Sequence, residues 1–237
     1  MRACEQRSSS GKPSNVPMTR LVLIRHPEVA VEPGVCYGQS DVPLRMPAHD
    51  SARLLAAGLE RSGLLLPGHD PDPDALVSLH SSPLSRCALV AGELGRAFGL
   101  DVRMDPDLME IHYGRWEQRR WDDVDRSLLD AWAADLDHGR PHGGESAAML
   151  RARVARWVEQ TDDDGARTIV AVTHAGVIRM LAAHLLAEPI EAALRRPLGF
   201  GSWSVFVGAA CGERSAPSSM RRWILEAWDV AGESDRG

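Results

Sequence analysis

Cysteine is scarce in this sequence, and its placement argues against the scaffolds that depend on it. Four cysteines occur in 237 residues, and no two of them form a CxxC motif. Disulfide frameworks are typical of short secreted chains, and this chain is long. We therefore interpret the cysteines as reduced thiols of a cytoplasmic protein. They are Cys4, Cys36, Cys87 and Cys211.

Long apolar runs are also absent. The best candidate, Val177–Leu186, is interrupted by Arg179 and His184, and it is too short to span a bilayer. Residues 1–17 are polar and lack the apolar segment that a signal peptide requires. We therefore expect no membrane partner, a disordered leader over residues 1–17 and a single domain over residues 18–237.

Positive charge is not in excess either. The formal net charge is −6, which argues against non-specific binding to nucleic acid or to an anionic membrane surface. Arginines gathered at one place can still bind a small phosphorylated ligand, because charges act mainly over short distances.

What the sequence does contain is a regular alternation of strand-like and helix-like segments. Short apolar runs rich in β-branched residues predict buried strands, and longer segments bounded by Ser, Pro and Gly predict helices. We therefore predict a three-layer α/β/α sandwich with a mostly parallel central sheet. The last two strands are expected to form an antiparallel edge hairpin. The predicted strands are Arg20–Ile24, Ala75–Leu79, Val102–Met104, Thr168–Thr173, Ser202–Val207 and Met220–Trp228; the helices are Ala48–Ser62, Pro83–Phe98, Asp122–Leu136, Ser146–Thr161 and Ala175–Leu186; the turns include Pro67–Asp74 and Cys211–Ser219.

Two histidines stand where this pattern places strand ends. Arg25 and His26 directly follow the apolar run Leu21–Ile24, and His174 directly follows Thr168–Thr173. The carboxyl ends of strands in open α/β sheets form the ligand crevice. Two strands that each deliver a histidine to this edge can form one shared site, where histidine acts as a nucleophile or as an acid or base.

Arginine recurs at the same kind of place. Arg86 ends the segment Ser81–Arg86, where the second strand passes into a helix. Helix N-termini present unpaired backbone N–H groups and favour anions. A guanidinium group matches the charge and geometry of phosphate, so Arg25 and Arg86 together predict a phosphate site.

The sequence also carries six short blocks in a fixed order: Leu23–His26, Cys36–Leu44, Ser81–Cys87, Leu108–Glu117, Gly144–Ser146 and Thr173–Arg179. Together they resemble the histidine phosphatase superfamily, which is also called the phosphoglycerate mutase-like family. Within it, the chain is most similar to the α-ribazole phosphatase branch. The resemblance covers the chain from about Thr19 to about Leu186.

The resemblance implies a role for each polar residue of these blocks. His26 matches the nucleophile that forms a phosphohistidine, and Arg25 and Arg86 match the phosphate clamps. His174 matches the second histidine of the pocket. Glu110 matches the general acid and base, which protonates the leaving oxygen and then activates water. Neither a metal nor another cofactor is implied, because arginines and helix N-termini supply the positive charge.

Further residues are expected around the substrate. Gln39 and Ser40 lie on the loop Pro27–Pro47, whose length is typical of a functional loop or a lid; plain turn chemistry is the alternative for both. Ala175, which stands where the family often has glycine, is expected to bind phosphate through its backbone N–H. Trp116 and Trp121 are expected at the mouth of the pocket, where an aromatic wall would suit a large leaving group.

A metal site is the weaker interpretation of another group of residues. His138, His142 and Glu145 have a spacing that can suggest metal ligands. They lie in a loop rich in Gly and Pro, without a helical register or further ligands, so we predict no metal site.

The chain departs from the family pattern at three places. Pro27 stands where the family usually has glycine, which removes one backbone N–H from the loop after the nucleophile. Glu32 lies near the position of an asparagine that the mutases carry. The segment Glu110–Gly144 is shorter than the cover with which mutases exclude water. The last two differences favour a phosphatase over a mutase.

We therefore predict a phosphomonoester hydrolase that acts through a phosphohistidine on a small phosphorylated metabolite, with α-ribazole 5′-phosphate as the leading guess. A phosphoglycerate mutase-like phosphoryl transferase is one alternative. A non-catalytic module that binds phosphorylated ligands, with Pro27 disabling the chemistry, is the other. No nucleic acid is expected as a partner, and a homodimer is common for such folds.

Overall fold

A mixed sheet forms the centre of the fold. The computed structural model describes residues 18–66, 76–162, 166–210 and 221–231, and within these ranges six strands pair in the order β3-β2-β4-β1-β5-β6. Pairs β1–β4, β2–β4 and β2–β3 are parallel, and pairs β1–β5 and β5–β6 are antiparallel. The strands are β1 Met18–Arg25, β2 Val77–Ser81, β3 Val102–Met104, β4 Thr168–Thr173, β5 Ser202–Ala210 and β6 Arg221–Ala231.

Helices cover both faces of this sheet, which confirms the predicted three-layer α/β/α architecture. No helix of the described residues is long and apolar enough to cross a membrane. The helices are α1 Ala48–Arg61, α2 Ser85–Phe98, α3 Arg126–Ala134, α4 Ala147–Asp162, α5 Ala175–Leu185 and α6 Ile190–Leu194, with 3₁₀ turns at Pro106–Leu108, Gly114–Trp116 and Trp121–Asp123.

Side chains of the central strands point alternately to the two faces of the sheet, and both faces are buried. This explains why the middle of each strand is apolar. In β1, Leu21 and Leu23 pack into the core on the side of α4 and α5, whereas Val22 and Ile24 pack into the core on the side of α1 and α2. Strand β4 divides its side chains between the two cores in the same way. A strand that is buried on both faces needs apolar residues at every position.

Register brings three strand ends to one edge of the sheet. Arg25 of β1 is paired with Thr173 of β4, and Ser81 of β2 is paired with Val172. The residues that follow β1, β2 and β4 are therefore neighbours in space. This is the crevice that the sequence pattern predicts for an open α/β sheet.

Most predicted elements are present, but two helix starts were wrong. Helix α3 begins at Arg126 instead of Asp122, because the Asp125 side chain accepts a hydrogen bond from the Ser127 N–H and caps the helix there. Helix α2 begins at Ser85 instead of Pro83, because Leu84 is extended. The predicted turns Pro67–Asp74 and Cys211–Ser219, the leader 1–17, Cys4 and Cys211 lie outside the described residues.

Two glycines of α2 offer a matched test of the packing of this helix against residues 100–102. A Cβ on Gly95 would lie 2.7 Å from the Leu100 carbonyl oxygen and 2.9 Å from Val102 Cγ2, whereas nothing lies within 4 Å of a Cβ on Gly92. We expect Gly95→Ala to lower the free energy of unfolding by about 1–3 kcal/mol. Gly92→Ala should raise it by about 0.5–1 kcal/mol, because alanine favours helix. Urea denaturation measures both, and equal effects of the two variants would contradict this packing.

Candidate active site

His26 occupies the position directly after β1, and its ring is nearly fully buried. Its backbone N–H donates to the Thr173 carbonyl at 2.9 Å, which continues the β1–β4 register by one residue. Its Nδ1 donates to the Pro27 carbonyl oxygen at 2.7 Å, a bond that requires the proton to be on Nδ1. The lone pair is therefore on Nε2, where an attacking nitrogen needs it.

Burial and charge keep this ring neutral. Burial, followed by the positive charge of Arg86, lowers the pKa of His26 to about 3. His174, whose ring centroid is 5.2 Å from that of His26, has a pKa well below the usual value because of its burial and its neighbours His26 and Arg86. Both imidazoles are neutral near pH 7.

His174 lies at the N-cap of α5 and connects two other parts of the site. Its Nδ1 accepts a hydrogen bond of 3.3 Å from Arg86 Nε, so its proton is on Nε2. Nε2 donates to Ser82 Oγ at 2.8 Å. Ser82 directly follows β2, so this bond joins the ends of β4 and β2.

Arg86 has no exposed surface. Besides the bond to His174, it donates to the carbonyl oxygens of Gly38 at 2.6 Å and Ser40 at 2.9 Å. Arg25 donates to the Leu198 carbonyl oxygen, and its guanidinium lies 3.7 Å above the Phe200 ring. Within the described residues neither arginine pairs with a carboxylate. A fully buried cation and a partly buried one, neither with an anion, are suited to a phosphate dianion.

The carboxylate of Glu110 contacts the N-terminus of α5. Its Oε1 accepts the Ile111 N–H at 2.9 Å, and its Oε2 accepts the Gly176 N–H at 3.2 Å. A Cβ at residue 176 would lie 2.2 Å from Oε1, so this approach requires glycine. The N–H of Ala175, in the first turn of the same helix, belongs to the groups that have no partner inside a helix. All five predicted catalytic residues thus lie around one edge of the sheet.

Tyr37 is part of the site and was missed in the sequence. Its side chain is hydrogen-bonded to Arg25, its ring lies 5.1 Å from the Arg86 guanidinium, and its edge faces His26 at 6.4 Å. The available signal was its place in the block Cys36–Leu44, which carries the resemblance.

Glu117 was also missed, and it holds the loop that carries Arg86's partners. Its carboxylate accepts hydrogen bonds from the N–H groups of Gln39 at 3.0 Å, Ser40 at 2.8 Å and Tyr113 at 3.0 Å, and from Ser40 Oγ at 2.6 Å. Gly38 has a positive φ, and a Cβ there would lie 2.5 Å from Oε1 of this carboxylate. Glycine at this position is therefore required on two counts.

Gln39 and Ser40, the two loop residues predicted to bind substrate, lie beside the site, and both side chains form hydrogen bonds within the protein. Gln39 Nε2 donates to the Glu110 carbonyl oxygen at 2.9 Å, and Ser40 Oγ donates to Glu117. Their contact with substrate stays a prediction.

The expectation that Trp116 lines the pocket mouth is wrong. Its side chain is fully buried in a cluster of aromatic rings, with centroid distances of 6.0 Å to Trp121, 5.8 Å to Trp132 and 5.0 Å to His142. The cluster forms a small hydrophobic core within the segment that follows Glu110. Among the described residues, no group of three or more His, Cys, Asp or Glu side chains is placed to hold a metal ion.

The neutral state of His26 makes folding stability depend on pH. The unfolded chain binds a proton at this residue near pH 6.5, whereas the folded pKa is about 3. The unfolded state therefore binds more protons between these values, and the free energy of unfolding falls as the pH is lowered through this range. We expect His26→Asn to reduce the loss of unfolding free energy between pH 7 and pH 5 by about 2 kcal/mol.

Urea denaturation at the two pH values measures this difference. His49→Asn, at an exposed histidine, is the matched control. The interpretation is wrong if both variants lose as much stability as the wild type.

Glu117→Gln tests the anchoring of the loop. An amide retains the size of the carboxylate but turns two of its acceptor sites into donors that face N–H groups. We expect the free energy of unfolding to fall by about 1.5–3 kcal/mol and the affinity for inorganic phosphate to weaken, because the carbonyl partners of Arg86 shift. Denaturation and calorimetric titration measure the two effects. Glu93→Gln, in a surface ion pair with Arg96, should leave both nearly unchanged; an equal result for Glu117→Gln would refute the anchoring role.

Comparison with known proteins agrees with this geometry. The sequence model of the histidine phosphatase superfamily (branch 1) matches residues 21–216. Glucosyl-3-phosphoglycerate phosphatase of Mycolicibacterium vanbaalenii is 31% identical over 228 residues, with 90% of this chain and 96% of the relative covered. Adenosylcobalamin/alpha-ribazole phosphatase of Escherichia coli is 29% identical over 190 residues, with 78% and 88% covered.

A solved structure extends the similarity to the fold. The native structure of mycobacterial glucosyl-3-phosphoglycerate phosphatase superposes with a TM-score of 0.71 at 28% identity, covering 90% of this chain and 99% of that chain. The family match spans most of the sequence and includes all the residues gathered at the strand ends. The chain therefore belongs to branch 1 of the histidine phosphatase superfamily and is a phosphatase.

Proposed function

We propose that this phosphatase hydrolyses a small phosphomonoester through a covalent phosphohistidine on Nε2 of His26. The observation that carries the proposal is the hydrogen bond from His26 Nδ1 to the Pro27 carbonyl oxygen at 2.7 Å. It leaves a neutral imidazole with its lone pair on Nε2, beside two arginines that form no ion pair with any carboxylate the structure describes. A neutral nucleophile next to uncompensated cations is what attack on a phosphate dianion requires.

In the first step the phosphate lies between Arg25 and Arg86. The Nε2 lone pair attacks phosphorus, and the bond from phosphorus to the ester oxygen breaks. Glu110 gives its proton to the leaving oxygen, so an alcohol departs. The arginines stabilise the charge on the equatorial oxygens. The proton on His174 Nε2 can be donated to the same phosphoryl group once it leaves Ser82 Oγ.

In the second step the ionised Glu110 acts as a base. It takes a proton from water, whose oxygen attacks phosphorus while the bond to Nε2 breaks. The electron pair returns to Nε2, inorganic phosphate leaves, and Glu110 is again protonated. Neither step requires a metal ion, so we expect turnover without added metal.

Pro27 is compatible with this mechanism. The residue supplies a carbonyl oxygen to His26, and a proline has that oxygen as a glycine does. The alternative of a non-catalytic module supposes that Pro27 disables the site, and the hydrogen bond that holds the His26 tautomer argues against it. The mutase alternative is disfavoured because the segment after Glu110 holds only 3₁₀ turns and the nine-residue helix α3.

The substrate belongs to the small phosphorylated metabolites. Relatives point to two kinds of leaving group, a glucosylated glycerate and the nucleoside of α-ribazole 5′-phosphate, and the second was the leading guess from the sequence. A cytoplasmic location and a homodimer stay predictions from the sequence.

The experiment is phosphate release from p-nitrophenyl phosphate and from a panel of metabolite monoesters without metal. We expect His26→Ala to abolish turnover, and His49→Ala, at the exposed histidine, to retain it. Glu110→Gln should lower steady-state turnover of p-nitrophenyl phosphate about 10²- to 10⁴-fold. Because nitrophenolate leaves without a proton, this variant should release one equivalent in a burst and accumulate an acid-labile phosphoenzyme. Turnover in His26→Ala at the wild-type rate would exclude the phosphohistidine.

A further inference from the structure

A third arginine, Arg179, lies beside the phosphate site and has no part in the mechanism. It stands five residues after His174, in the second turn of α5. Helical side chains tilt toward the N-terminus of their helix, which here is the end where the Gly176 N–H binds Glu110. Arg179 is thus carried by the same helix end as the groups that contact the ester.

One short segment holds both Arg179 and Arg25. Arg179 donates to the carbonyl oxygen of Arg196 at 3.1 Å, and Arg25 donates to that of Leu198. The two acceptor residues are two apart in the chain and can therefore be separated by no more than about 7 Å, so the two arginine side chains converge on one short segment. The charge of Arg179 contributes to the lowered pKa of Arg25, after the larger effect of burial.

Arg179 differs from Arg153 and Arg196 in its lack of an anion. Arg153 binds both oxygens of Glu145 at 2.8 and 2.9 Å, and Arg196 binds both oxygens of Glu188 at 2.8 and 2.9 Å. Arg179 forms no ion pair with a carboxylate of the described residues, and its buried Nε has no hydrogen-bond partner. A partly buried guanidinium that has no anion beside it has lost hydration without gaining a charge partner, and a ligand that supplies an anion removes this cost.

Charge counting indicates the kind of anion. With Glu110 protonated, as the first step requires, Arg25, Arg86 and Arg179 contribute three positive charges. A phosphate monoester dianion neutralises two of them. We propose that Arg179 binds a carboxylate of the leaving group, so that the substrate is a phosphomonoester with a carboxylate near the ester oxygen.

This inference rests on the proposed function and narrows it. It favours a glycerate-type leaving group over α-ribazole, because a benzimidazole riboside carries no carboxylate. Substrate specificity would then come from a charged contact of Arg179 on α5, which is separate from the groups that transfer phosphate.

The test compares two esters that differ only at this position, 3-phosphoglycerate and glycerol 3-phosphate. Charge-assisted hydrogen bonds predict a wild-type kcat/KM about ten- to a hundredfold higher for 3-phosphoglycerate. Arg179→Gln should bring this ratio close to one, and Arg179→Lys should retain part of it. Arg195→Gln, at an exposed arginine of the same region, is the matched control and should keep the wild-type ratio.

A wild-type ratio near one overturns the proposal, and so does an Arg179→Gln variant that weakens both esters equally. The dissociation constants of the two esters for His26→Ala, measured by calorimetry, give the same comparison without turnover. Failure of the phosphohistidine mechanism therefore shows in p-nitrophenyl phosphate hydrolysis, whereas failure of the carboxylate site shows in these binding ratios.

Discussion

The hydrogen bonds of the buried Arg86 guanidinium are the interactions on which the site depends. A cation without exposed surface is stable only if its N–H groups are satisfied, and here they bind His174 and two carbonyl oxygens of the loop after Cys36. That loop is held in turn by the carboxylate of Glu117. The phosphate clamp, the second histidine and the loop are therefore one hydrogen-bonded unit, and a change in any of them is felt by the others.

The same burial sets the chemistry of the histidines. Low exposure together with nearby arginines disfavours imidazolium at His26 and His174, so both rings are neutral where a free histidine is partly charged. The protein thereby concentrates positive charge in arginines, which cannot lose it. A phosphate dianion meets fixed cations, and the nucleophile keeps its lone pair.

Sequence reasoning was strongest where the information is local. The central residues of strands β1 and β4 are all apolar, and the residue after each strand could be placed at the sheet edge from the pattern alone. Glu117 was missed because its partners Gln39 and Ser40 lie more than seventy residues away in the chain, and no local pattern reports such a contact. The missing counter-ion of Arg179 is equally invisible, since it depends on where every carboxylate lies. The predicted start of α3 was wrong because Asp125 caps the helix, which therefore begins after this residue although the helical pattern starts earlier in the sequence.

The bond from His26 to the Pro27 carbonyl oxygen also bears on how such proteins diverge. Every amino acid supplies a peptide oxygen, so this hydrogen bond does not depend on which residue follows the nucleophile as long as the chain keeps its direction. A chain with another residue there keeps the tautomer of the nucleophile, and a search pattern that insists on glycine will pass over it.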